Sequence, residues 1–393
     1  MKRTAISSGV IVFLLSSQML FIVRAQGPPA GVRGYRSAHE AEIIGELVNV
    51  LSIPNVASNS INLSRNAVKL IEMMSRRGIQ PAILLGGDGP SVIFGELKTP
   101  GANRTIGFYA HYDGQPVEAS KWASDPFKPT LRDKVLEAGG RVIAFPKLGE
   151  RFDPESRLYA RSASDDKAPI IAILAALDAL KASGEKLTAN LKFLFDGEEE
   201  AGSPHLGDTV KRNAGLLGAD VWICADGPVH QTRRQQLYFG VRGIVKVDIT
   251  VYGANRALHS GHYGNWSPNA AMRLAKLLAG MKDDSGRVLI EGFYDGAAPL
   301  GEEEKKALKE MPATDPELMR DYGLAVTDGA GRTLAELINE PSLNIDGLRS
   351  EDVGRQSRTI IPAEATATVD LRLVKGIEPR VQLDRLIAHI KKQ

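Results

Sequence analysis

Four short apolar runs with the composition of β-strands are each followed closely by acidic or histidine side chains. Ligand-binding side chains of an α/β protein lie in the crevice outside the carboxyl ends of its strands. The clusters therefore predict one site at one edge of a sheet. The runs and their clusters are Thr105–Ala110 with His111 and Asp113, Leu158–Ala160 with Asp165 and Asp166, Leu191–Phe195 with Glu198–Glu200, and Val221–Ala225 with Asp226.

The order of apolar patterns predicts two domains of different architecture, as expected for 393 residues. Ala168–Ala182 is apolar nearly all round, which indicates a buried helix between strands. Alternating strands and helices favour an α/β fold with a mixed, mostly parallel sheet flanked by helices. Further on, Val241–Val251 and Ala363–Val374 alternate apolar and polar residues, as strands with one solvated face do. We assign 26–237 to the α/β domain and 238–393 to a smaller α+β domain.

The first 25 residues have the pattern of a secretory signal peptide. Lys2 and Arg3 precede the apolar run Val10–Val23, and Val23-Arg24-Ala25 provides small residues for cleavage after Ala25. The pattern predicts an exported protein, periplasmic or secreted. The alternative is an uncleaved membrane anchor, which is disfavoured because polar residues at 16–18 interrupt a run already short for a bilayer span.

The charge and cysteine content exclude some classes of partner. Removal of residues 1–25 takes away three basic residues and leaves 46 basic and 47 acidic side chains. No basic stripe remains, so we expect neither a nucleic acid nor a membrane partner after cleavage. The single cysteine, Cys224, cannot form an intramolecular disulfide, and its place in an apolar run predicts a buried and inert thiol.

The chemistry of the clusters indicates a metal-dependent hydrolase. Adjacent carboxylates such as Asp165 and Asp166 repel each other unless a cation neutralises them. A metal hydrolase also needs one carboxylate on the ion and another, unligated, to take a proton from water. Successive glutamates can supply both roles. One imidazole among carboxylates is a ligand set expected of a two-metal zinc or manganese enzyme.

Each cluster has a simpler interpretation when taken alone. His111 could be an ordinary loop histidine, and Asp165 with Asp166 could form an exposed turn, which Lys167 would also suit. Three consecutive glutamates often begin a solvated helix, and Asp226 could be a turn residue. The common position after strands favours the joint interpretation.

These segments carry a family resemblance that covers nearly the whole chain after residue 25. The chain resembles the co-catalytic dimetal metallopeptidases, which include carnosine-type dipeptidases, aminoacylases, glutamate carboxypeptidase and succinyl-diaminopimelate desuccinylase. The details at Gly114–Pro116 and His259–Gly261 resemble the dipeptidase branch. The matching segments are His111–Pro116, Tyr159–Lys167, Glu199–Ser203, Asp226, Leu258–Gly261, Asn344–Gly347, Thr359–Pro362 and Leu371–Leu373.

The resemblance implies a role for each motif residue. The site would hold two divalent ions, zinc or manganese. Asp165 would bridge both ions, and His111, Glu200 and Asp226 would each bind one of them. Glu199 would be the general base and Asp113 would orient His111.

In the smaller domain the resemblance implies two substrate contacts. His259 would reach the substrate, in this family often across a homodimer formed through that domain, and Arg372 would pair with the substrate carboxylate.

The sequence thus predicts a hydrolase that cleaves an amide bond in dipeptides or N-acyl amino acids through a metal-bound hydroxide. The alternatives are an N-acyl amino acid deacylase or carboxypeptidase of the same family, a non-catalytic peptide-binding relative, and a structural dimer module. The family's last metal-ligand histidine belongs to a C-terminal segment that has no counterpart before Gln393. The resemblance therefore implies that part of the catalytic domain is missing and that this fragment is inactive or very weak.

Overall fold

The computed structural model describes residues 29–84, 89–230 and 232–393. The predicted signal peptide, 1–25, lies outside the described residues. Contacts divide the chain into two units, Met1–Pro228 and Val229–Gln393. The domain limits inferred from the sequence, with a boundary at 237/238, stay a prediction. Within the described ranges, no helix has both the length and the apolar character that crossing a bilayer would require.

The first unit contains a five-stranded mixed sheet in the order β1-β2-β6-β3-β7. β3 pairs in parallel with β6 on one side and with β7 on the other. β1 and β2 extend the sheet in antiparallel fashion beyond β6. The strands are β1 (Gln80–Leu84), β2 (Val92–Leu97), β3 (Thr105–His111), β6 (Asn190–Asp196) and β7 (Val221–Cys224).

Both faces of this sheet are covered, which confirms the predicted α/β class. On β6, Phe193 and Phe195 lie in a core with helices α2, α3 and α4, while Leu194 lies in a smaller cluster with Leu217 on the opposite face. Sheets buried on both faces have nearly continuous apolar strands, as β6 has. The helices are α1 (Ala30–Ala38), α2 (Glu40–Leu51), α3 (Ser60–Arg76), α4 (Lys167–Ala182), α5 (Leu206–Arg212) and α6 (Ala214–Leu217).

Two features differ from the sequence-based expectation. The strand before the Asp165 cluster, β5 (Arg157–Tyr159), pairs only with β4 (Thr130–Arg132) in a separate two-stranded sheet. The second is helix α1, Ala30–Ala38, in a stretch for which the sequence patterns above predict no element. A Cβ on Gly31 would lie 2.9 Å from Ser183 Oγ at the end of α4, so a glycine lets α1 approach α4 closely.

The second unit is built on a three-stranded antiparallel sheet in the order β10-β12-β8. Apolar residues of β8 and β12, such as Ile249 and Val369, pack with Leu274 and Leu386 from two helices in a separate core. The strands are β8 (Gly243–Tyr252), β9 (Leu258–His259), β10 (Ser342–Arg349), β11 (Ile360–Ile361) and β12 (Glu364–Leu373). The helices are α7 (Ser260–Tyr263), α8 (Ala270–Ala279), α9 (Glu302–Glu310), α10 (Asp315–Tyr322), α11 (Leu334–Leu337) and α12 (Pro379–Lys392). The predicted smaller α+β architecture is confirmed.

Candidate metal centre

Three parallel neighbours of the first unit bring their carboxyl ends to one edge of the sheet. His111 ends β3 directly opposite Asp196, which ends β6. β7 ends two residues before Asp226, and the backbone N–H of Ala225 donates to Tyr109 O at 2.8 Å. The chain after β5 reaches the same edge, because Asp166 Oδ2 accepts a hydrogen bond from the backbone N–H of His111 at 3.0 Å. The four clusters therefore come together, although only three of them follow strands of this sheet.

His111 is fully buried and has a carboxylate near each ring nitrogen. Its Nδ1 lies 3.2 Å from Asp113 Oδ1, and its Nε2 lies 2.8 Å from Asp165 Oδ1. Donation of the Nδ1 proton to Asp113 fixes the ring orientation and leaves the Nε2 lone pair available to a metal ion. The role of Asp113 in orienting a metal-bound His111 stays a prediction.

Asp113 also connects His111 to the glutamate cluster. Its two carboxylate oxygens accept the backbone N–H groups of Glu199, at 3.1 Å, and Glu200, at 3.0 Å. Asp113 is fully buried, so these charge-assisted hydrogen bonds are shielded from water. A single carboxylate therefore sets the positions of both the imidazole and the loop that carries the candidate general base.

His111, Asp165 and Asp226 offer ligand atoms that all lie within 4.8 Å of one another. One imidazole nitrogen and two carboxylates suit zinc, which accepts both ligand types. Glu199 Oε2 lies 3.8 Å from His111 Nε2, beside this group. The donor set therefore fits a divalent ion with a free carboxylate next to it.

The charge around these ligands also favours a cation. Burial opposes protonation of His111, but the carboxylates of Asp113, Asp166 and Asp226 outweigh it and raise its pKa to about 10. Burial, helped by Asp226 and Asp165, raises the pKa of Asp166 to about 7, against the hydrogen bond and charge of His111. Burial likewise raises the pKa of Glu199. A divalent ion would relieve the repulsion among these carboxylates.

The three glutamates have different surroundings. Glu198 is buried, and its carboxylate accepts the backbone N–H of His205 at 2.7 Å and contacts His205 Nδ1 at 2.9 Å. The carboxylate of Glu200 accepts a hydrogen bond from Gln115 Nε2 at 2.7 Å. Glu200 is not among the three converging ligands of the described structure, and its role as a ligand stays a prediction. Glu199 alone has its carboxylate beside His111.

The Asp165 cluster lies in a turn that is only partly exposed, because Asp166 and Lys167 are buried. The side chain of Lys167 is 1% exposed, and its Nζ donates to Val50 O at 2.8 Å and to Asn66 Oδ1 at 2.7 Å. Burial lowers the pKa of Lys167 to about 7. Asp166 is also 1% exposed, whereas Asp165 is exposed. Nζ also donates to Ile53 O at 3.3 Å, so Lys167 ties the start of α4 to helices α2 and α3 and to the connection between them.

Asn55, in the same connection, is a positioning residue that no sequence pattern singles out. It is fully buried, and its Nδ2 donates to Tyr112 O at 2.8 Å and to Ser162 Oγ at 2.9 Å. Its backbone carbonyl accepts the N–H of Gly114 at 2.9 Å. The α2–α3 connection thus holds two of the four segments that carry metal-ligand candidates, those of His111 and Asp165. Its only sequence signal is Pro54, which predicts the end of a helix.

We expect Lys167→Met to destabilise the first unit by about 3 kcal/mol, because it leaves buried acceptors without donors. The change should appear as a lower midpoint in urea unfolding. Lys181→Met, an exposed lysine on the same helix, is the matched control and should change stability by less than about 0.5 kcal/mol. Equal midpoints for the two variants would contradict this role of Lys167.

In the second unit, His259 and Arg372 lie on different elements. His259 Nδ1 accepts the backbone N–H of Gly261 at 3.1 Å, which places the ring proton on Nε2, and its ring stacks on His262 at 4.6 Å. Arg372 is on β12, and its Nε donates to Asp370 Oδ2 at 3.1 Å. Their contacts with a substrate stay predictions.

Cys224 corrects one expectation. The thiol is exposed, not buried, because β7 lies at the edge of the sheet. An apolar run predicts a strand, but it does not show whether the strand has a neighbour on each side.

Comparison with known proteins identifies the family. The model for peptidase family M20/M25/M40 matches residues 107–391. The chain belongs to this family. The match confirms the resemblance drawn from the motifs and the assignment to metal-dependent peptidases.

Individual members of the M20 family resemble the chain over most of its length. The Cys-Gly metallodipeptidase of Schizosaccharomyces pombe is 26% identical over 370 residues, 89% of this chain and 73% of that protein. The beta-Ala-His dipeptidase of Rattus norvegicus is 27% identical over 307 residues, 77% of this chain but 58% of that protein. An M20 metallo-carboxypeptidase structure from Sulfolobus solfataricus has a TM-score of 0.72 and 30% identity, over 89% of this chain and 75% of that one.

Proposed function

We propose that this protein is a metal-dependent dipeptidase. The observation that carries the proposal is the convergence of His111, Asp165 and Asp226 with Glu199 beside them. A metal site next to an unligated carboxylate is what hydrolysis of an amide bond requires. The names of the S. pombe and rat relatives, a Cys-Gly and a beta-Ala-His dipeptidase, support dipeptides as the substrate class.

Each group of the site has a separate role in the proposed reaction. Bound divalent ions supply Lewis acidity at the scissile carbonyl and make water acidic near neutral pH. Glu199 accepts the proton of the attacking water on a carboxylate oxygen and passes it to the leaving amine. Asp113 contacts both His111 Nδ1 and the backbone N–H of Glu199, so one carboxylate positions the imidazole and the backbone of the residue that carries the base.

We propose two zinc ions as the cofactor, with manganese as the alternative. Nitrogen and carboxylate donors suit both metals. The proposal is tested by removing metal with a chelator and adding each metal back at equal free concentration. Restoration by manganese but not by zinc would contradict the zinc assignment.

A substrate panel tests the proposed reaction. We expect the metal-loaded full-length protein to release both amino acids from Cys-Gly or beta-alanyl-histidine. N-acetyl amino acids should be poor substrates, and longer peptides should not lose single C-terminal residues efficiently. Preference for N-acetyl amino acids would instead indicate a deacylase, and sequential C-terminal trimming would indicate a carboxypeptidase. Binding of dipeptides without release of products, in a metal-loaded sample, would favour a peptide-binding relative.

We further propose that the protein is exported by cleavage after Ala25 and that it forms a homodimer through the second unit. The charged start and apolar run of residues 1–23 support export. Mass spectrometry of the protein recovered outside the cytoplasm should give a chain that begins at Gln26, and an intact N-terminus there would contradict cleavage. Sedimentation should give the mass of two chains, and a monomer at micromolar concentration would contradict the dimer.

A further inference from the structure

The turn that carries the candidate general base is hydrogen-bonded to two buried carboxylates. Asp113 accepts the backbone N–H groups of Glu199 and Glu200. Asp196, at the end of β6, accepts the preceding one, the N–H of Glu198, on Oδ1 at 3.2 Å. Both carboxylates are fully buried. Three successive N–H groups of the turn are thus directed at acceptors that water does not reach.

The other oxygen of Asp196 binds the far end of the same turn. Ser203 Oγ donates to Asp196 Oδ2 at 2.6 Å, and the backbone N–H of Ser203 donates to Glu198 O at 3.0 Å. The hydroxyl of Tyr109, on β3, also points at Oδ2, but at 3.4 Å. A hydroxyl group bound this closely to a carboxylate makes a hydrogen bond roughly twice as strong as one between neutral groups. Asp196 therefore joins the two ends of the turn, residues 198 and 203.

Ser203 has a backbone conformation that any side chain disfavours. Its φ is 46°, in the left-handed region, and it directly follows Gly202, whose φ is 87°. A serine at such a position costs conformational free energy that a glycine would avoid. The hydrogen bond from its hydroxyl to Asp196 is the one interaction of this side chain that a glycine could not make. The hydroxyl thus offsets the strain of the backbone.

The position of Glu199 depends on the backbone of this turn. Its Oε2 lies 3.8 Å from His111 Nε2, and its side chain is 37% exposed. Within the described ranges, no hydrogen bond holds the carboxylate of Glu199 itself. A displacement of about 1 Å of a reacting group can cost about 10²-fold in rate. A change in the turn should therefore alter the chemical step even if the metal ligands stay in place.

We propose that the hydrogen bond between Ser203 and Asp196 positions the general base, Glu199, and that both are positioning residues of the reaction. The inference rests on the proposed dipeptidase function and deepens it. Neither residue belongs to the group of converging ligands. All the groups involved lie in the first unit. The two residues act on Glu199 through the backbone of residues 198–203.

Two substitutions of Ser203 separate positioning from stability. Ser203→Ala and Ser203→Gly both remove the hydroxyl, but only glycine also relieves the left-handed backbone. In the metal-loaded full-length protein, we expect both to lower kcat for the best dipeptide about tenfold, with KM and metal content unchanged. Ser203→Gly should nevertheless have a higher midpoint of urea unfolding than Ser203→Ala. A purely structural role would instead make kcat follow the unfolding midpoint.

Amide hydrogen exchange of the turn gives a measurement that needs no turnover. In both variants of Ser203, the N–H groups of residues 198–202 should exchange about tenfold faster in metal-free protein, because the turn opens more readily. Ala330→Gly is the matched control. It relieves a left-handed residue, with φ 51°, in the second unit. It should leave kcat, KM and the exchange of the turn unchanged.

Asp196→Asn tests the acceptor of the same hydrogen bond. This change should also lower kcat, and its combination with Ser203→Gly should cause no further loss, because both remove one shared interaction. Losses that multiply in the double variant would contradict a shared interaction and overturn the inference.

Two further results would overturn the inference while leaving the proposed function intact. One is parental kcat in Ser203→Gly together with low kcat in Ser203→Ala. The other is unchanged exchange of the turn in both variants. Failure of the unaltered full-length protein to hydrolyse any dipeptide would overturn the proposed function and this inference together.

Discussion

Glu199→Gln in the full-length protein should reduce turnover of the best dipeptide by about 10²–10⁴-fold while the metal content stays nearly unchanged. The amide that replaces the carboxylate cannot take a proton from water. The metal content should persist because the converging ligands are His111, Asp165 and Asp226, and Asp113 accepts only the backbone N–H of residue 199. Steady-state kinetics and metal analysis of the same preparation measure both quantities.

Glu198→Gln is the informative comparison for this variant. Glu198 is a neighbouring carboxylate, but it is buried against His205. We expect Glu198→Gln to lower the free energy of unfolding more than it lowers the rate of the chemical step. If Glu198→Gln loses turnover while Glu199→Gln keeps it, the general base is Glu198 and the assignment made here is wrong.

Asp165→Ala should remove both metal ions and, with them, the activity. The carboxylate is 2.8 Å from His111 Nε2 and belongs to the converging group, and the family resemblance implies that it bridges two ions. Even the loss of a residue that supports a ligand typically costs about 10–100-fold in metal affinity or activity, so the loss of a shared ligand should cost at least that. Metal content after dialysis against a limited zinc concentration measures the effect.

Asp208→Ala is the matched control for Asp165→Ala. Asp208 lies on α5 with a side chain 62% exposed, close to the 66% of Asp165. Replacing an ordinary surface aspartate with alanine changes the free energy of unfolding by less than about 0.5 kcal/mol. It should leave the metal content unchanged. If Asp165→Ala behaves like the control, Asp165 is an ordinary surface aspartate and not a metal ligand. Loss of one ion only would make it a terminal ligand.

Several strands and the buried helix α4 could be predicted from the sequence because their signals are local. The apolar run Leu191–Phe195 forms the central part of β6, and the buried helix predicted at Ala168–Ala182 corresponds to α4. Alternation at Ala363–Val374 predicted β12 with one polar face. These patterns depend only on residues that are close in sequence, so they can be recognised without knowledge of the tertiary structure.

The predictions that failed or were missing depend on distant contacts. Lys167 reaches Val50 across 117 residues, and no periodicity in the sequence indicates that its ammonium group is buried. Asn55 contacts segments 57 and 107 residues away. The pairing of β5 with β4, outside the main sheet, also depends on tertiary packing. The site clusters could be predicted because acidic and histidine residues are grouped after apolar runs in the sequence. The residues that hold these clusters in place belong to no such group.

The crowding of carboxylates at the sheet edge has an evolutionary consequence. Without a cation, Asp113, Asp165, Asp166, Glu199 and Asp226 repel one another, and several of them are withdrawn from water. In a lineage that no longer needed catalysis, replacing any of these carboxylates with a neutral residue would make the folded state more stable. Repulsion of this kind is therefore expected to persist only where function selects for it. This chain carries the whole set. That retention speaks against a descendant which merely binds peptides.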